Sequence, residues 1–189
     1  MREDTKREMA AQLKTLMAQK PLNKITIREI TDGCGLNRQA FYYHFTDIFD
    51  LVKWTYSEEA LALMAEHVNF LTWEDGVLQL LSYAEDNRPA LRCLFHSIQH
   101  EQLKRFFYAD IHTLLETFIN TIPSSRVAAQ EDKAFIAHFY ALAFGSLAED
   151  WILDDAPQRK SVDEMLRLIR ITVFGNLENA LERSIESTI

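Results

Sequence analysis

The chain has 189 residues, 48% of them hydrophobic and including 12 Phe, 6 Tyr and 3 Trp, enough to bury a sizeable core in one domain or in a small head joined to a larger body. Five glycines and four prolines are too few for a turn-rich β-sandwich or a disordered chain, and two cysteines, Cys34 and Cys93, cannot build a disulfide scaffold. The net charge is −8 but uneven: residues 1–55 hold nine bases against seven acids, net +2, which leaves −10 on the remainder and permits a polyanion partner only at the N-terminal end.

In chain order, Asp4 is placed to cap a first helix running to about Gln19, with Met9, Leu13, Leu16 and Met17 on one face. Pro21 and Asn23 break it. Thr26 with Glu29 three residues on reads as a capping box for a short second helix, which Gly33 and Gly35 end. Asn37 caps a third helix to His44 or Phe45, and Asp47 caps a longer fourth one. Thr72 and Asp75 suggest another box, and Asn87 and Pro89 start the next helix. Long helices follow from about Glu101 to Ile122 and from Ala128 to Leu153, and Ser161 and Glu164 box the start of the last. No charged-then-apolar leader opens the sequence. The longest nearly apolar run, Phe135 to Ala148, is 14 residues, short of the ~18 of a membrane span. The expectation is an all-α, cytoplasmic protein of about nine helices.

Residues 26–45 read T-I-R-E-I-T-D-G-C-G-L-N-R-Q-A-F-Y-Y-H-F. Two short helices joined at Gly35-Leu36 form a helix-turn-helix unit, with Ile30, Cys34, Leu36 and Phe41 apolar where they must pack. In such a unit the second helix enters the major groove and its N-terminal side chains face base edges. Here those are Asn37, Arg38, Gln39 and Ala40. Arg38 can reach guanine, Gln39 can pair with adenine, and the Ala40 methyl can touch a thymine methyl. Tyr42, Tyr43 and His44 offer donors suited to phosphates, as do the helix N-termini near Thr26 and Asp47. Phe41 and Phe45 read as core plugs.

This segment resembles the TetR family of bacterial transcription regulators. I-T-I-R-E-I, G-L-N-R-Q-A-F and the closing Y-Y-H-F follow its pattern over residues 4–54, and K-P-L-N-K-I-T-I-R-E-I with F-Y-Y-H-F-T-D-I-F-D-L is similar to its branch of dihydroxyacetone-kinase operon regulators. The resemblance implies a DNA-binding domain at 1–46, an effector-binding and dimerisation domain at 47–189, and a homodimer on a palindromic double-stranded operator. Such a dimer is most often a repressor released by an effector. The alternative is an activator or interaction module whose body binds a partner protein instead of a small molecule. It also implies base-reading roles for Arg28, Arg38, Gln39 and Ala40. Two departures stand out: Thr46-Asp47 replaces a Lys frequent after the Y-Y-H-F, and Thr31 stands where Ala is common.

The other constellations point to little chemistry. Cys93, His96 and His100 have the spacing of a soft-metal face, but the bland reading, a small buried thiol beside two histidines, outweighs it, and no metal or cofactor is expected. Glu149-Asp150 and Asp154-Asp155 are paired carboxylates at a helix end. No nucleophile elbow or phosphate loop accompanies them, so no catalytic residue is assigned. Aromatics of the body can line an apolar effector pocket. The last two helices are expected to build a four-helix dimer interface through Phe144, Ala148, Trp151, Leu168, Ile169 and Val173, with Ala141, Ala143 and Gly145 allowing close approach.

Overall fold

Met9, Leu13 and Met17 recur every four residues, which makes α1 (Arg2–Met17) an amphipathic helix whose stripe is almost wholly buried. The computed structural model describes residues 2–67, 72–97, 100–173 and 175–186, and every regular element among them is helical. Asp4 lies within the first turn of α1 rather than at its cap, where a carboxylate still favours the helix dipole. A 3-10 turn at Leu22–Lys24 follows Pro21 and leads into α2 (Ile27–Gly33), α3 (Arg38–His44) and α4 (Ile48–Tyr56).

The predicted fourth helix is not regular. After Tyr56 a π turn, Ser57–Leu61, connects α4 to the short α5 (Ala62–Ala65). Next come α6 (Trp73–Asp86), α7 (Arg88–Phe95) with Pro89 in its first turn, α8 (His100–Thr121) and α9 (Gln130–Leu153). No side-chain cap bond from Thr72 starts α6. The predicted last helix is two, α10 (Val162–Val173) and α11 (Asn176–Glu186), because Gly175 adopts φ +74°, a conformation open to glycine but strained for other residues. The Ser161 box forms as expected: the Ser161 amide donates to Glu164 at 2.8 Å and the Glu164 amide to the Ser161 hydroxyl at 3.3 Å.

The buried side chains form one continuous cluster from Met9 to Leu181. α1 packs on α2, α4 and α7, α7 packs on α9, α8 lies along α9, and α10 lies against α6. Gly145 lets α8 and α9 meet, since a Cβ there would fall 1.8 Å from the Tyr108 ring. Its small size therefore serves a contact inside the chain. The carboxylate pairs are structural as well. Arg88 and Arg92 donate to the carbonyls of Ile152 and Leu153 at 3.0 and 2.9 Å and both hold Asp155, while Lys104 pairs with Glu149 at 3.0 Å. The Arg92 and Arg88 guanidiniums keep the Asp155 carboxyl below its usual range. No helix among the described residues is long and apolar enough to cross a membrane.

Candidate nucleic-acid interface and body cavity

The geometry of the N-terminal unit follows from its caps. Thr26 accepts the Glu29 amide while Glu29 accepts the Thr26 amide at 3.0 Å, so the predicted capping box is complete. Lys20 pairs with the same carboxylate. Gly35, at φ +67°, reverses the chain after α2, and the Asn37 side chain accepts the Ala40 amide at 2.9 Å to start α3. Thr31 is buried and its hydroxyl donates to the Ile27 and Arg28 carbonyls at 3.0 and 3.1 Å, so the helix accommodates the threonine without an orphaned group.

The Lys20 ammonium and the two Thr26 bonds hold the Glu29 carboxyl down at about 2, from an ordinary 4.5. A carboxyl depressed in the fold stabilises it fully above the ordinary value and loses that contribution as pH falls toward the folded one. Comparing the wild type with Glu29→Gln by urea unfolding should give a constant difference above pH 5 that shrinks steadily toward pH 2. A difference independent of pH would show that the charge contributes nothing to the box.

Phe41 is completely buried and Phe45 is 4% exposed, so both plug the core. That pins one face of α3 and turns the opposite face outward, as helical spacing requires. The outward residues are Arg38, Gln39, Tyr42 and Tyr43, and the two tyrosines are 60% and 62% exposed. Ala40 and His44 sit half-buried at the flanks, with the His44 ring edge-on to Tyr43 at 4.9 Å. Asn37 is exposed but its carbonyl is committed to the cap. Thr26 is likewise exposed and capping.

Arg28 is exposed and ion-paired with Asp32 at 3.2 Å. Such a surface pair contributes little, so exchanging the carboxylate for a phosphate costs little. At the start of α4 the Asp50 amide donates to Asp47 and the Thr46 amide to Asp50, both at 2.9 Å. These carboxylates stand where a phosphate at that helix end would sit, which counts against the phosphate site read near Asp47.

Sequence reasoning missed a polar link between the N-terminal unit and the body. At the π turn Glu59 accepts from Lys14 of α1 and from the Tyr83 hydroxyl of α6, the latter at 2.9 Å. Burial, Tyr56 and the Glu59 carboxylate push the Tyr83 phenol well above its usual range. Nothing in the local sequence signals this link, because its three partners lie on three separate elements.

Between α6, α8, α9, α10 and α11 lies a cavity of about 150 Å³ with almost entirely hydrocarbon walls. The residues expected at a dimer interface are mostly here. Phe144, Ala148, Ile169 and Val173 line it, so they face inward. Trp151 is 5% exposed and donates to the Lys160 carbonyl at 2.7 Å under the Arg159 guanidinium, and Leu168 is half-buried. The outward apolar side chains are instead Phe135, Phe139 and Leu142 of α9, with Ile171 of α10, while Leu147 lines the cavity at its exposed edge. An apolar run with no polar side carries no signal for which side faces in, and the packing of α8 decides it. No group of three metal-ligating side chains occurs among the described residues; the His100 side chain of the Cys93–His96–His100 set lies outside them.

Residues 11–53 match the family described as bacterial regulatory proteins, tetR family, and residues 71–175 match that family's transcriptional regulator C-terminal region. The chain belongs to the TetR family of bacterial transcriptional regulators. Over 174 residues it is 22% identical to the HTH-type dhaKLM operon transcriptional activator DhaS of Lactococcus lactis subsp. lactis (strain IL1403), covering 90% of this chain and 92% of that protein. Among solved structures it is similar to the dihydroxyacetone kinase operon activator DhaS, with a TM-score of 0.68, 20% identity and 96% of each chain covered. It is also similar to NalD, the secondary repressor of the MexAB-OprM multidrug efflux pump in Pseudomonas aeruginosa, with a TM-score of 0.66, 16% identity, and 92% of this chain and 96% of that one covered. Activators and repressors alike are built on this fold.

Proposed function

We propose that this regulator binds a palindromic operator as a homodimer in the cytoplasm and that an effector held in the body releases it. Residues 1–46 are the DNA-binding head and 47–189 the effector and dimerisation body. The observation that carries the reading is the outward ridge of α3, where Arg38, Gln39, Tyr42 and Tyr43 stand exposed over the buried Phe41. Arg38 and Gln39 read base edges, with the Ala40 methyl beside them. Tyr42, Tyr43, His44 and the capped start of α2 at Thr26 hold the backbone, and Arg28 leaves Asp32 to join the base-reading set. The dimer forms through the exposed face of α9 with Ile171 of α10, which sets the two heads ~34–36 Å apart for successive major grooves. The link through Glu59 joins the head to α6, a wall of the cavity, and so gives a filled body a route to the spacing of the heads.

Fluorescence anisotropy on DNA from upstream of the protein's own and neighbouring genes tests this. Specific DNA is expected to bind far tighter than a scrambled duplex, with affinity falling steeply as salt rises. Arg38→Ala or Gln39→Ala should each weaken the specific complex by about 1–3 kcal/mol and leave scrambled DNA nearly unchanged. Equal losses on both duplexes would remove base reading from α3.

The similarity to activators named DhaS favours a second reading, in which the dimer activates transcription. A reporter assay with the gene deleted separates the two: expression rises on loss of a repressor and falls on loss of an activator.

A further inference from the structure

We propose that the body cavity takes a small, neutral, mostly hydrocarbon molecule, a single substituted aromatic ring carrying one hydrogen-bond acceptor, and that His67 receives that acceptor. The proposal rests on the reading of the body as an effector domain and names the chemistry of its ligand. A cavity of this volume, about 150 Å³, with aliphatic and aromatic walls has room for a molecule of benzene's size. Its walls include Val77, Leu115, Phe118, Phe144 and Leu177, and His67 is the one ionisable residue among the described side chains that line it. A carboxylate or ammonium would lose its hydration among these hydrocarbon walls, and a polyol would lose several hydrogen bonds at once. The walls therefore disfavour charged ligands and small polyols.

His67 makes the site more than a void. The Gln79 side-chain nitrogen lies 3.1 Å from His67 Nε2 and can only donate to it, so Nε2 accepts and the imidazole proton sits on Nδ1. That Nδ1 is buried and has no hydrogen-bond partner among the described residues. A buried donor left unmatched is costly, and a ligand carbonyl or ether oxygen removes the cost when it binds. Gln79 thus fixes which kind of polar group the cavity rewards: an acceptor rather than a donor.

The test uses the full-length protein and four probes, acetophenone, ethylbenzene, sodium benzoate and glycerol, followed by calorimetric titration and by the melting temperature. Acetophenone and ethylbenzene are expected to bind and raise the melting temperature, acetophenone about tenfold the tighter, for one hydrogen bond satisfied. Benzoate and glycerol should do neither. His67→Phe keeps a ring in place but removes the donor, and should bring acetophenone down to the ethylbenzene level. Binding of benzoate or glycerol as tight as that of acetophenone, or no binding of either aromatic, overturns the proposal; an unchanged acetophenone preference in His67→Phe overturns the role of His67. Operator anisotropy with acetophenone present reads the effector role separately. Probe binding without any change in operator affinity supports the ligand class and rejects effector control through this cavity.

Discussion

Phe41→Ala is expected to cost about 3–5 kcal/mol of folding stability, because it empties a fully buried aromatic site. The Phe41 ring packs edge-on to Tyr42 and tilted against Phe45, both at 5.8 Å, and nothing on the short α3 can move in to refill the space. A chain whose whole stability is of order 5–15 kcal/mol loses a large share of it. The loss of operator binding should be larger still. A helix of seven residues has no independent stability, and Phe41 is what aims Arg38, Gln39, Tyr42 and Tyr43 outward. Urea unfolding and anisotropy on the same preparation measure the two effects. Tyr43→Ala is the contrasting change: its side chain is 62% exposed, so stability should move by less than about 0.5 kcal/mol while DNA affinity falls. A Phe41→Ala protein that unfolds like the wild type would mean that the plug is not what holds α3.

Phe139→Asp combined with Leu142→Asp is expected to split the dimer. Phe139 and Leu142 are 59% and 43% exposed on the outward face of α9, with Phe135, 70% exposed, one turn before Phe139. A two-fold axis repeats each substitution on both sides of the interface, so carboxylates enter an apolar contact in pairs. Within one chain neither side chain belongs to the buried core, so the monomer should keep its fold. A dimer on two half-sites gains roughly 10²–10⁴ over one head alone, and that gain is what the variant should lose. Sedimentation velocity reports the monomer and anisotropy the weakened operator complex. A variant that stays dimeric would move the interface off this face. The inward residues Ile169 and Val173 behave differently: Val173→Ala should lower stability without changing the dimer.

Much of the N-terminal unit was legible in the sequence. Thr26 with Glu29, Asn37 before Arg38, Asp47 before Ile48 and Gly35 in the turn each act over three or four residues, and the structure forms each as read. The same holds for Ser161 with Glu164. The inward Phe41 and Phe45 were also readable, because their spacing matches one face of a short helix. Gly175 could have warned of the break before α11. Its isolation inside a strong apolar stripe hid it, since glycine is tolerated within helices and its φ is free to take either sign.

What the sequence by itself determined is the local grammar: helices throughout, their caps, the helix-turn-helix unit and the residues at the start of its second helix. Such features depend on neighbours within one or two turns, and their energies are decided there. What only the tertiary structure decided is orientation. α9 is apolar nearly all round, so no periodicity says that Phe144 and Ala148 face the cavity while Phe135 and Phe139 face out; the seat of Tyr108 against Gly145 sets it. In the same way Glu59 meets Lys14 and Tyr83, and His67 meets Gln79, only where separate helices converge. Burial is a property of the assembled layers, and a side chain's role in the cavity or in the link to the head exists only after the helices have packed.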